Sequence, residues 1–202
     1  IQSDAIGSGN TGLPEDRHAV PHDLTLAERE RFAKEMLKGF RYCRLAGGLY
    51  WRGLDPERKY LQPRWPEQLE EIRQMMEWAG IEGVSLEYWS PAPYWKANEN
   101  YIGKGSEDRY NTLKCFGPDF ANDPVYNGDT IRFLEDFGKA CAKDVQTLKN
   151  TGIKVSKWGL SNEPFVSNNS YSTCKFFSAG DYVLSYYYTA KAIREADPGI
   201  LL

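Results

Sequence analysis

Extended β-branched runs and amphipathic helical stretches alternate along this chain with no hairpin signal between them, which restricts it to parallel βα units. Parallel neighbours need a long crossover, and each helical stretch supplies one. Thr25-Leu26-Ala27-Glu28 has the form of a capping box, opening a helix that runs to about Lys38, where Gly39 suits a left-handed stop. Phe40 to Leu45 is the first predicted strand. Pro66 opens a helix with Leu69, Ile72, Met75, Met76 and Ala79 on one side, ending near Gly80, and Val84 to Trp89 is the next strand. A long polar loop then runs from Ser90 to about Asn127. Asp129 caps a helix whose apolar stripe is Ile131, Leu134, Phe137, Cys141, Val145 and Leu148, with Gly152 beyond its end. Ile153 to Ser156 is a short buried strand, and Ser178 with Asp181 starts a helix to about Ala196. Pro198-Gly199 breaks that helix, and Ile200-Leu201-Leu202 opens one more strand.

The fold class is therefore α/β. At 202 residues the chain fits one domain with a real core, yet it falls short of the roughly 250 residues of a complete (β/α)8 barrel. Three full strands and the start of a fourth are present, after an opening loop over residues 1–24. The expectation is one unit, 1–202, forming the amino-terminal part of a (β/α)8 barrel. Residues outside this sequence complete it, on the same or a separate polypeptide, because half a barrel presents an unpaired parallel edge and a bare apolar face.

A net charge of −3 without a basic cluster argues against nucleic acid or anionic membrane as partners. No apolar run approaches the roughly 20 residues of a membrane span, so the chain reads as soluble. Six Trp and thirteen Tyr provide rings that can stack on sugars as well as fill a core. Cys43, Cys115, Cys141 and Cys174 lack the paired spacing of a zinc site; in a secreted protein they allow one or two disulfides, although Cys141 on an apolar helix face suits a buried thiol. His18 and His22 are spaced like metal ligands but lie in a Pro-containing loop without a clear third ligand, so no metal is expected. Asn168-Asn169-Ser170 is a glycosylation sequon, and an opening at Ile1 without Met or signal peptide suits a processed or trimmed chain. Secretion is the expectation.

Two segments carry chemistry. Trp158-Gly159-Leu160-Ser161-Asn162-Glu163-Pro164 places an Asn-Glu pair at the carboxyl end of a predicted parallel strand, the end where α/β barrels build their sites. A carboxyl group there can protonate a leaving oxygen while the neighbouring amide binds a hydroxyl. Trp89-Ser90-Pro91-Ala92-Pro93-Tyr94-Trp95-Lys96-Ala97-Asn98, followed by Gly103-Lys104-Gly105, leaves another strand at the same rim.

Together these segments resemble glycoside hydrolase family 30, whose members carry a Ser-Pro-Pro-x-Trp-Met-Lys-Thr-Asn stretch and an Asn-Glu-Pro one strand later. The resemblance spans most of residues 25 to 202. It implies a retaining glycosidase acting on β-glycosidic bonds, with a carbohydrate substrate and no cofactor, because two carboxylates do the chemistry. Glu163 is then the general acid that protonates the departing oxygen and afterwards the base that activates water, and Asn162 binds the sugar 2-hydroxyl. Arg44 stands where the family has an Arg that orients the nucleophile carboxylate by paired hydrogen bonds. Tyr94, Trp95 and Trp89 are the rim aromatics that would wall a sugar subsite. The family's Trp falls at Tyr94, two residues before Lys96, while Trp95 precedes that Lys directly.

Two departures limit what the resemblance implies. Seven residues after the Arg, where family members often carry an acid for outer hydroxyls, this chain has Trp51, a stacking surface in place of an acceptor; Arg52 or Asp55 are the candidates to compensate. The nucleophile, which the family supplies from a strand near the end of the barrel, lies beyond Leu202. Glu87, in the strand before Trp89, is the rival carboxylate within the chain and reads as a rim or supporting group. The alternative to a hydrolase is a carbohydrate-binding or structural protein on the same scaffold; an inverting hydrolase, with carboxylates about 6.5–9.5 Å apart, is a third reading.

Overall fold

A computed structural model describes residues 23–48, 51, 53–105, 108–165 and 172–202. In chain order these form α1 (Leu26–Arg31), continued by a π-helical turn (Phe32–Met36), then β1 (Tyr42–Gly47), β2 (Gly53–Leu54), β3 (Leu61–Gln62), α2 (Gln68–Ala79), β4 (Gly83–Tyr88), α3 (Thr130–Asn150), β5 (Val155–Gly159) and α4 (Ala179–Ala196). The caps read from the sequence are present: Thr25 and Glu28 close a reciprocal box, and Asp129 and Ser178 accept from Arg132 N and Asp181 N. His18, His22, Arg52 and the Asn168 sequon lie outside the described residues.

β1, β4 and β5 make one parallel sheet in that spatial order, and the Leu201 backbone continues it on the far side of β5, with Trp158 N donating to Leu201 O at 2.9 Å. Strands that follow one another around the sheet with a helix between each are an arc of an α/β barrel. Register and burial give each strand two sides. Cys43, Leu45, Val84, Leu86, Tyr88 and Trp158 are buried on the helix-covered side. Tyr42, Arg44, Ser85, Glu87, Lys157 and Gly159 line the inner side.

The core fills the space between the outer side and the helices. Phe133 of α3 lies at its aromatic centre, fully buried, with Trp95, Phe120 and Tyr126 rings at 5.5, 5.6 and 5.1 Å. Burying such a ring contributes about 3 kcal/mol by area removed from water. Arg29 ties α1 to α2 through Glu71 at 3.1 Å, and the Trp65 indole N–H donates to the same carboxylate at 2.9 Å.

Several expectations change. β1 and β5 lie about two residues further along than the β-branched runs suggested, because pairing with β4 rather than local propensity sets their ends. β2 and β3 form a short antiparallel hairpin that the sequence did not announce; two residues per strand leave no period to read. The Ser90–Asn127 stretch is less a polar loop than a second packing layer, with 3-10 turns at Pro93–Trp95, Lys114–Phe116 and Phe120–Asn122 and buried Leu113 and Tyr126. All four cysteines are buried free thiols, so no disulfide forms. Burial disfavours the thiolate at three of them, raising the pKa of Cys174 to about 11 and those of Cys115 and Cys141 well above the usual range.

Candidate active site

The carboxyl ends of the three strands meet at one rim. Gly48, just past β1, holds a left-handed φ of +76°, and a Cβ there would lie 1.6 Å from Ser90 O, so the end of β1 passes directly against the segment leaving β4. Beyond β5, Asn162 N donates to Tyr88 O at 2.6 Å, drawing the Asn-Glu-Pro turn across the end of β4. Glu163 itself adopts φ +47°, a left-handed conformation uncommon outside glycine. Its side chain is exposed at the rim and that of Asn162 is half-buried.

Arg44, Glu87, Asn162 and Glu163 come together there. The Arg44 Nη2 contacts both Glu87 Oε2 and Asn162 Oδ1, the latter at 2.5 Å. Asn162 Nδ2 in turn faces Glu163 Oε2 across a long 3.4 Å contact. Trp89 lies against the guanidinium, with its ring centre 5.7 Å from Arg44 Cζ, and packs on Ala46. The assembly offers a carboxyl able to exchange a proton, an amide to bind a hydroxyl, and a fixed cation beside them.

The other expected sugar-stacking rings lie elsewhere. Trp95 is 4% exposed, packed on Phe133 and Phe137, and its indole N–H donates to Lys59 O at 2.7 Å. Trp51 is fully buried and its carbonyl accepts from Gly48 N at 3.0 Å. Neither presents an open ring face, so both are core residues: the apolar layer under the rim claims them. Tyr94 is half-buried beside Trp95, with Lys59 and Lys114 each 4.8 Å from its ring centre. The Asp55 carboxylate is engaged in its own turn, accepting from Glu57 N and Tyr60 N.

Two buried polar groups hold the rim from behind. Lys96 is fully buried, and its ammonium donates to Tyr101 O, Asn111 Oδ1 and Thr173 O at 3.1, 2.5 and 2.5 Å. Three donors meet three acceptors, two from the Ser90–Asn127 stretch and one from the segment before α4, and backbone bonds from Thr173 N to Tyr101 O and Lys175 N to Asn111 O complete the knot. Burial lowers the ammonium to about 8. Phe176 N then donates to Pro164 O at 2.9 Å, linking the knot to the Asn-Glu-Pro turn. Asp144 on α3 accepts from Tyr88 Oη at 2.9 Å and Leu61 N at 3.2 Å, and burial raises its carboxyl to about 8. Asp144 interrupts the stripe between Cys141 and Leu148 at helical spacing, a legible sign of a buried acid; Lys96 carried no comparable signal. Among the described residues no cluster of His, Cys, Asp or Glu could hold a metal ion, and no helix is long and apolar enough to cross a membrane.

No family model matches the chain, and no curated protein does. Solved structures do. An endo-β-1,6-glucanase matches with a TM-score of 0.61 at 16% identity, over 89% of this chain and 40% of its own. A conserved exported protein from Bacteroides fragilis gives 0.61 at 15%, over 90% and 39%. The catalytic domain of a glycoside hydrolase family 30 xylanase C from Talaromyces cellulolyticus gives 0.55 at 14%, over 87% and 40%. The chain spans about 40% of the length of these structures, and its fold is like that of part of a glycosidase α/β barrel such as theirs.

Proposed function

We propose that this chain is the amino-terminal part of a secreted, retaining glycosidase domain that cleaves β-glycosidic bonds, with Glu163 as general acid/base. The observation that carries the reading is the Arg44–Asn162–Glu163 contact chain, which reaches from the inner side of β1 past β4 to the turn at the carboxyl end of β5. Glu163 gives its proton to the departing glycosidic oxygen as a nucleophilic carboxylate attacks the anomeric carbon. It then takes a proton from the water that breaks the covalent intermediate. Asn162 binds the 2-hydroxyl of the sugar at the cleavage point, a contact that strengthens as positive charge develops on the ring. Arg44 orients the nucleophile, which comes from the remainder of the barrel and stands about 5–5.5 Å from Glu163.

The test uses the full-length protein and a panel of unactivated β-linked oligosaccharides. Glu163→Gln is expected to lower kcat/KM by roughly 10²- to 10⁴-fold, and proton NMR of the first-formed product to show a retained β anomer. Undiminished turnover by the variant removes the acid/base role. Sugar binding without turnover by the unaltered protein replaces the hydrolase with a non-catalytic carbohydrate-binding protein.

A further inference from the structure

We propose that Glu87 is a positioning residue of this site: its carboxylate anchors the Arg44 guanidinium and, through it, fixes the Asn162 amide with its NH2 group toward Glu163. The inference rests on the acid/base reading above and deepens it, since Glu87 belongs to neither motif that carries the family resemblance.

The surroundings of Glu87 are built for a sideways reach. Across the sheet it pairs with Ala46 on β1 and Gly159 on β5, so small residues flank it on both sides. Its Oε2 meets Arg44 from the next strand, two residues earlier in the register. The Arg44 side chain remains 33% exposed, so without that anchor other rotamers lead toward solvent. Anchored, its Nη2 also donates to Asn162 Oδ1. A guanidinium only donates, so it selects the carbonyl end of the amide, and the NH2 end turns to Glu163. Glu87 thereby decides which way Asn162 presents itself to a sugar hydroxyl.

Its charge acts as well. The charged groups on the inner side are Arg44 from β1, Glu87 from β4 and Lys157 from β5; Tyr42, under the Lys157 ammonium at 4.9 Å, is the other titratable side chain there. Removing the Glu87 carboxylate leaves the Arg44 guanidinium uncompensated, one amide away from Glu163, which favours loss of the proton Glu163 must donate.

Two variants in the full-length protein separate these roles. Glu87→Gln keeps an acceptor for the guanidinium without the charge: kcat falls less than in Glu87→Ala, while the alkaline limb of the kcat/KM profile moves down by about half a pH unit or more. Glu87→Ala removes both, and kcat falls about tenfold or more as the amide loses its orientation. An unmoved alkaline limb in Glu87→Gln overturns the electrostatic role, whatever happens to stability. Independently of turnover, the side-chain amide signals of Asn162 in a proton–nitrogen NMR spectrum shift and exchange faster in Glu87→Ala; unchanged signals overturn the positioning role. Full turnover by Glu163→Gln would instead sink the acid/base assignment, and the Asn162 signals would still judge Glu87.

Discussion

The two sides of the parallel sheet divide the labour of the molecule. The outer side presents Leu45, Val84, Leu86 and Trp158 to a helix layer and excludes water, whereas the inner side presents Arg44, Ser85, Glu87 and Lys157. One period-two alternation produces both, since neighbouring residues of a strand point to opposite sides. The outer contacts are numerous, non-directional and additive; the inner ones are few, directional and coupled. Damage on the outer side is therefore read mainly in stability, and on the inner side mainly in chemistry.

The largest stability effect that would sharpen this contrast is expected at Phe133. Phe133→Ala empties the aromatic centre of the outer layer and should lower the unfolding free energy by about 3–5 kcal/mol in a denaturant titration. A loss as large from Glu163→Gln, at the exposed rim, would break the contrast.

Asp144 is a polar exception within the outer layer. Burial raises its carboxyl from the ordinary 3.8 to about 8, so the folded chain holds a proton that the unfolded chain releases. Its contribution to stability is complete below about pH 4 and is lost as pH rises to about 8. Asp144→Asn keeps the shape without the titration. Unfolding curves of the two proteins should diverge across that window, with the variant increasingly favoured as pH rises; parallel curves would mean that the acid titrates normally.

The smallest effect is expected at Gly159 on the inner side. A Cβ there would meet Glu87 Cγ at 3.6 Å, an ordinary contact, so Gly159→Ala should change stability by less than about 0.5 kcal/mol. A larger loss would show the inner side to be as tightly packed as the outer one.

Much of the fold was legible because it is periodic. The stripe from Leu134 to Leu148 and the caps at Thr25, Asp129 and Ser178 are local patterns, and the structure keeps them, while Ile131 at the start of the predicted stripe is exposed. Strand limits were not legible, since Tyr42 and Gly159 are placed by partners far away in sequence. The Asn162-Glu163 pair was visible as a motif at a strand end, whereas its meeting with Arg44 depends on the sheet order, in which the turn after β5 crosses the end of β4 toward β1. Which aromatics are open to a ligand was not visible. Burial depends on packing between distant segments, and it takes Trp95 and Trp51 into the core while leaving Trp89 beside Arg44. The burial of Lys96, which the sequence showed only as part of a motif, was not visible for the same reason: its three acceptors come from segments that only the fold brings together.

The left-handed backbone at Glu163 sets folding against the proposed chemistry on a single residue. Glycine or asparagine relaxes there, whereas a glutamate is held against a preference of about 1–2 kcal/mol. A descendant relieved of turnover would become sturdier by shedding this side chain. The residue proposed as the acid/base is thus also one that a purely structural protein would be free to discard.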